Sequence, residues 1–272
     1  MQLGFNGATT MTSPLLLDVE IASNAGFDVI EITATKLDQF LHDEPLEEMH
    51  ETLEDAGLQV HAINSIEKIN LNDSAGRAQV LARTWQLSEY ARALGCPWIV
   101  VVPGPAPAGM DWNAIRDDTV NSLRGMSDVA ATFDVKLAFE FLGFLWCSVR
   151  TVAQSWEIVQ AVDRANVGFV IDTCHFYAGD STLASIRAVD EKKFAIFHIN
   201  DVEPMPKEKI EDANRLFPGD GVIPLKEIID AVRATGFDGV ASIEIFRPEY
   251  WQRDPFAVAL EAKEKALKVL NR

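Results

Sequence analysis

The sequence predicts an α/β fold, a (β/α)8 TIM barrel that takes residues 1–272 as one domain, and three observations carry that reading. Eight short apolar runs alternate with eight helical stretches, at a repeat of about 30 residues, the length of a strand–helix–strand unit. The runs are nearly continuous in apolar residues, as parallel strands covered on both faces are. Four helices hand over to the next strand through glycine, at Ala25-Gly26-Phe27, Ala56-Gly57-Leu58, Leu94-Gly95-Cys96 and Thr235-Gly236-Phe237, where a left-handed residue ends a helix at least cost. Eight such units in a chain of this length close into a barrel whose active site lies at the carboxyl ends of the strands. A doubly wound open sheet is the competing architecture, weakened by the lack of Gly-x-Gly-x-x-Gly after the first strand.

Leu3-Gly4-Phe5 is the first strand and Asn6–Thr12 a polar turn. Pro14–Ala25 is a helix, with Ser13 placed to cap it and Pro14 at its first position. Val29–Ile32 is the second strand, Leu46–Ala56 a helix, Leu58–Ile63 the third strand and Arg77–Leu94 a longer helix. The fourth strand is Trp98–Val102. Asp111 caps the next helix, Trp112–Phe133, and Val135–Phe139 is the fifth strand. Helix Thr151–Val162 leads to the sixth strand, Val167–Ile171. A short helix, Thr182–Val189, leads to the seventh, Phe194–Phe197. The irregular stretch Asp201–Pro224 is too long for an idle loop in a compact domain and reads as a partly ordered cover over the barrel mouth. Helix Leu225–Thr235, strand Val240–Ile243 and helix Pro255–Leu270 close the chain.

The 272 residues carry 24 Lys and Arg against 41 Asp and Glu, a formal charge of −17. Such a chain has no basic face for phosphates, so nucleic acid and anionic membrane are not expected partners. No apolar run approaches the roughly 20 residues that span a bilayer, and no signal segment is recognised at the start. The three cysteines, Cys96, Cys147 and Cys174, form no C-x-x-C pair and read as reduced thiols of a cytoplasmic protein.

The chemistry is concentrated where strands five to eight stop. Leu137-Ala138-Phe139-Glu140, Val170-Ile171-Asp172, Ala195-Ile196-Phe197-His198 and Ser242-Ile243-Glu244 each run from mostly apolar residues into one polar residue. Four consecutive barrel strands are neighbours, so these ends converge. Two like charges about 4 Å apart repel by on the order of 4 kcal/mol at an effective dielectric near 20. Three carboxylates therefore call for protonation or a bound cation. Oxygen-rich ligands with one imidazole suit one divalent ion, Mn²⁺, Zn²⁺, Co²⁺ or Mg²⁺.

These residues also carry a resemblance. The chain resembles the sugar isomerase/epimerase group of xylose isomerase-like barrels, and within it the inosose (2-keto-myo-inositol) isomerases of inositol catabolism. The resemblance runs nearly end to end. It rests on Phe5-Asn6-Gly7-Ala8-Thr9-Thr10, Phe139–Gly143, Asp172-Thr173-Cys174-His175-Phe176, His198-Ile199-Asn200-Asp201, Arg215–Gly221 and Glu244–Tyr250. It implies Glu140, Asp172, His198 and Glu244 as metal ligands, the four reached from spacing, and His175 and Arg215 as substrate contacts. Gly7 departs from the glutamate that the resemblance leads one to expect there, which bears on the substrate or its orientation.

The expected reaction is a carbonyl shift between adjacent carbons of a cyclic polyol ketone through an enediolate. Glu140 and Glu244 are the candidate bases, with His175 as the alternative. Asn6, at the end of the first strand, and His61 and Asn64, near the end of the third, are candidate substrate hydrogen-bonders. Arg247 and Glu249 are candidate orienting residues, and Trp146, Tyr250 and Trp251 are placed in mouth loops. Cys174 reads as a bystander. The loops after strands seven and eight open on Asn200-Asp201-Val202-Glu203 and Phe246-Arg247-Pro248-Glu249, poor cradles for an anion, so the substrate is expected to lack phosphate. Partners are thus a small cyclic polyol or sugar and, at most, further copies of the chain as a homo-oligomer. The competing activities are an inosose dehydratase and a ketose 3-epimerase on the same metal site. An abasic-site endonuclease is disfavoured by five histidines and the negative charge, and a non-catalytic polyol binder by the four convergent ligands.

Overall fold

A computed structural model describes residues 1–271, and in it the eight expected strands close into one parallel barrel. The strands are β1 (Gln2–Asn6), β2 (Val29–Thr33), β3 (Gln59–Ile66), β4 (Trp98–Val101), β5 (Lys136–Glu140), β6 (Val167–Asp172), β7 (Phe194–Ile199) and, after a ribbon of β8 (Asp201–Val202) and β9 (Arg215–Leu216), β10 (Val240–Ile243). Each pairs with its neighbours in chain order, and β1 closes the ring between β10 and β2. The helices are α1 (Leu15–Ala25), α2 (Ala34–Asp43), α3 (Leu46–Ala56), α4 (Ser74–Ala93), α5 (Trp112–Ala131), α6 (Val152–Val162), α7 (Thr173–Ala178), α8 (Leu183–Arg187), α9 (Leu225–Ala234), α10 (Pro248–Trp251) and α11 (Pro255–Leu270). Among the described residues no helix is long and apolar enough to cross a membrane.

Gly26, Gly57, Gly95 and Gly236 all have φ between 64° and 97°, the left-handed conformation expected at the helix–strand joints. Asp111 caps α5 by accepting from Asn113 N at 3.0 Å. Ser13 does not cap α1. The chain enters there through Pro14 at the cap position, with no side-chain bond, because proline holds an extended entry and α1 starts one residue later. Helices α2, α7 and α10 had no counterpart in the sequence reading. The six residues of α7 are too few to show a helical period, and α2 buries only Ala34, Lys36 and Leu37.

Inside the barrel, Ala62, Val100, Val102, Ala138, Val170, Ala195 and Ile196 form a small apolar plug, separate from the large core between strands and helices. Side chains alternate along a strand, so the inward residues two beyond Ala138, Val170 and Ile196 are Glu140, Asp172 and His198. The plug thus sits directly beneath the polar ends. Gly168 keeps it closed from below, since a Cβ there would lie 2.8 Å from the Trp98 ring.

One charged pair is buried outside the mouth. Lys36 Nζ lies 2.5 Å from Asp18 Oδ2 and also donates to the carbonyls of Gly7 (2.9 Å) and Thr10 (2.8 Å). Burial pushes the Asp18 carboxyl up to about 6 against the pull of Lys36 and Thr10, so the pair pays a desolvation cost that its contacts only partly offset. Removing one partner strands the other charge. Lys36→Met alone should therefore cost about 3–5 kcal/mol, while the double change Lys36→Met with Asp18→Asn should recover most of it. Urea denaturation of the three proteins checks this, and additive losses in the double variant would contradict it.

Candidate metal centre

Glu140 and Asp172 close β5 and β6, His198 is the last inward residue of β7, and Glu244 follows β10. These strands are neighbours in the barrel, and Asp172 pairs in register with His198. One donor atom from each of the four lies within 4.8 Å of the others, and all four side chains are buried. The structure thus brings together every residue expected as a ligand.

Hydrogen bonds fix most of their oxygens. His198 Nδ1 lies 2.9 Å from Glu140 Oε1 and 3.5 Å from Glu244 Oε2. Asp172 Oδ1 accepts from His175 N (2.8 Å), and its Oδ2 accepts from Asn200 Nδ2 (2.6 Å) and Arg215 Nη1 (2.9 Å). Glu244 Oε2 accepts from Arg215 Nη1 (2.9 Å), and its Oε1 accepts from Asn6 Nδ2 (3.1 Å) and Asn64 Nδ2 (2.8 Å). Glu140 Oε2 takes no hydrogen bond among the described residues.

Electrostatics follow from crowding. Burial pushes Glu244 up to about 8, with the charges of Glu140 and Asp172 adding to it against His198 and Arg215. Burial pushes His198 down, but Glu244, Glu31 and Glu140 outweigh it and hold the imidazole well above its ordinary value. Asp172 is also driven up by burial, yet Arg215 and His175 bring it below the usual carboxylate range. A divalent cation among these oxygens would replace the proton on His198 and relieve the repulsion on Glu244. Three carboxylates and one imidazole are a donor set for a hard or borderline divalent ion, and the residues present fit one.

Above the centre is a cavity of about 210 Å³, lined by Glu140 and Glu244 with His175, Arg215, Asn64 and Trp146 among others. Arg215 comes from the long stretch after β7. That stretch is ordered through the β8–β9 ribbon and through Asp201, whose carboxylate accepts from the backbone N–H of Val202, Gly219 and Ile223. Arg247 braces the same segment by an ion pair to Glu203 at 2.8 Å and also meets Glu249 at 3.3 Å. Arg215 is 1% exposed and reaches Asp172, Glu244 and Asp212. Its Nη2 donates to His175 Nε2 at 3.1 Å. The His175 lone pair is therefore taken, which argues against His175 as the base. Burial holds its imidazole below the ordinary value, and its Nδ1 has no partner among the described residues.

Two expected substrate contacts are corrected. His61 is not at the mouth. Strand β3 runs on to Ile66, so His61 is only its third residue; it meets the Ala195 carbonyl at 3.2 Å and lines a groove at the opposite end of the barrel. Asn6 reaches the centre but is spent on it, with Nδ2 on Glu244 and Oδ1 accepting from Ala8 N. Tyr250 stacks on Phe217 at 4.1 Å, and Trp251 donates to the Ala8 carbonyl, so of the three mouth aromatics Trp146 alone lines the cavity. Cys174 is buried, and burial pushes its thiol well up, as suits a bystander. Gly7 does not border the cavity, and a Cβ there would meet Asp18 Oδ2 at 2.8 Å and Thr33 Oγ1 at 2.9 Å.

Two residues of the centre were missed in the sequence, Asn200, which donates to Asp172, and Glu31. Glu31, in the middle of β2, is fully buried and faces His198 from across the barrel, its two oxygens 3.0 and 3.2 Å from Nε2. The signal was a charge within a strand that should be buried on both faces.

Residues 19–269 match the model of a family described as a xylose isomerase-like TIM barrel. The chain belongs to that family. This xylose isomerase-like barrel is 34% identical to the inosose isomerase of Halalkalibacterium halodurans, covering 100% of this chain and 97% of that protein. It is 35% identical to the inosose isomerase of Bacillus subtilis, covering 100% and 99%. Among solved structures it superposes on IolI protein, which carries a bound zinc atom, with a TM-score of 0.97 at 35% identity over 100% of this chain and 98% of that one.

Proposed function

We propose that this protein is an inosose isomerase: a metal-dependent enzyme that moves a carbonyl between adjacent carbons of a cyclic polyol ketone of the 2-keto-myo-inositol type. The observation that carries this is a buried ring of Glu140, Asp172, His198 and Glu244 in a chain about one-third identical, end to end, to inosose isomerases. One divalent ion, for which zinc is the first choice since a similar structure holds it, would be held by those four residues. Bound there, it supplies Lewis-acid polarisation of the carbonyl.

The chain's own residues divide the remaining work. Glu140 is the base, because it lines the cavity and has an oxygen free of hydrogen bonds, whereas both Glu244 oxygens are engaged. It takes the proton from the hydroxyl-bearing carbon beside the carbonyl, giving an enediolate, and returns it to the former carbonyl carbon. The hydroxyl proton crosses to the other oxygen, so the atoms balance. His175 lines the cavity with Nε2 held by Arg215, and Arg215 supplies positive charge beside the developing anion. One base serving both carbons suits a carbonyl shift, whereas inversion at one carbon needs an acid and a base on opposite faces. The three buried free cysteines suit a reducing compartment such as the cytoplasm.

Incubating zinc-loaded protein with 2-keto-myo-inositol in deuterated water, followed by NMR, tests the assignment. Deuterium uptake with a new ketone is expected. A conjugated ultraviolet chromophore would instead mark a dehydratase, and no uptake with any divalent ion would refute the isomerase.

A further inference from the structure

Imidazole has two nitrogens, and in its neutral form only one carries a proton. A metal takes the bare one, and which nitrogen that is depends on what the other is bonded to. In this barrel the two nitrogens of His198 have opposite surroundings. Nδ1 points into the four-residue ring, 2.9 Å from Glu140 and 3.5 Å from Glu244. Nε2 points away from it, between the two oxygens of Glu31 at 3.0 and 3.2 Å.

Glu31 faces His198 first, with Ser242 and His61 as its other polar neighbours. It sits mid-strand on β2, separated from β7 by β1 and β10 on the barrel wall, so the contact crosses the interior. Its side chain is fully buried and does not line the mouth cavity, so it cannot touch substrate. A carboxylate buried at this depth would be costly without a partner, and His198 is its hydrogen-bonding imidazole. Two-point contact with one N–H also restricts the ring's rotation, which a single acceptor would not.

We infer that Glu31 is a positioning residue for the metal centre: it holds His198 as the Nε2–H tautomer and fixes the ring so that Nδ1 is the ligand nitrogen. This rests on the metal-centre reading above. Glu31 neither binds the ion nor meets substrate, and it acts only through His198. Partners in this position typically change metal affinity by about 10–100-fold when removed.

The test uses the full chain with zinc alone, at neutral pH, in competition with a chromophoric chelator. The wild type should bind, and Glu31→Gln should bind about 10–100-fold more weakly, with Glu31→Asp between them because it keeps the charge at a longer reach. Activity of Glu31→Gln should recover as zinc is raised, without a change in substrate KM, which a mere loss of packing would not produce. A second measurement needs no variant. In ¹⁵N-histidine NMR of the zinc-loaded wild type, His198 should show a protonated Nε2 and a metal-shifted Nδ1. Equal zinc affinity for wild type and Glu31→Gln, or zinc on Nε2, overturns the role of Glu31. A wild type that binds no divalent ion overturns the metal reading itself, and this inference with it.

Discussion

Glu140→Gln should lower turnover by about 10²–10⁴-fold, the usual contribution of a positioned general base, and should abolish exchange of the substrate's α-hydrogen with solvent. A neutral amide ligates more weakly than the carboxylate, so turnover and exchange are compared at saturating zinc. That separates loss of the base from loss of the ion. Glu244→Gln should behave differently. Glu244 is held by Asn6, Asn64 and Arg215, and an amide cannot accept at both ends as the carboxylate does. Its loss should show first as weaker zinc binding, with exchange partly restored by excess metal. Exchange retained in Glu140→Gln but lost in zinc-saturated Glu244→Gln would reverse the assignment.

Chelation of the metal should have the other large effect. Without a cation the carboxylates are buried side by side, and burial, with the charges of Glu140 and Asp172 adding to it, pushes Glu244 up to about 8. Stripping the ion should abolish turnover and lower the melting temperature, and adding it back should restore both. At a free ion concentration one hundred times Kd, linkage contributes about 2.7 kcal/mol. For a chain of this size that corresponds to a rise of roughly 5–10 °C. Calorimetry across a zinc titration checks this. A melting temperature indifferent to zinc, manganese, cobalt and magnesium alike would count against the ring as a metal site.

The barrel and its ring were legible because each ligand interrupts an apolar run at its end. Glu140, Asp172, His198 and Glu244 stand out for one reason: a charge at the mouth of a buried strand needs a purpose. Glu31 did not stand out, because it sits in mid-strand rather than at a strand end, where Val29-Ile30-Glu31-Ile32-Thr33 gives its side chain no evident partner. Only the closed barrel shows that this side chain faces the interior. His61 was misplaced for a related reason. Nothing in Ala62-Ile63-Asn64-Ser65-Ile66 marks where β3 stops, and three more residues of strand moved His61 from mouth to base. Asn6 was found but given the wrong partner, since a sequence shows that an amide is available and not which acceptor it reaches. The helix α7 was hidden because Asp172 both ends β6 and caps the turn that follows.

The crowding around Gly7 bears on how this sequence can change. A side chain there would have to displace the Asp18 carboxylate, and that carboxylate is held by Lys36. Neutralising Asp18 first would leave a buried ammonium without its counter-charge. Acquiring a glutamate at position 7 is therefore not a one-step change. Positions 7, 18, 33 and 36 should depend on one another, because a side chain at position 7 meets both Asp18 and Thr33 while Asp18 is held by Lys36. Relatives with different residues at these sites should be separated from this chain by joint replacements, and single swaps between them should fold poorly in either direction.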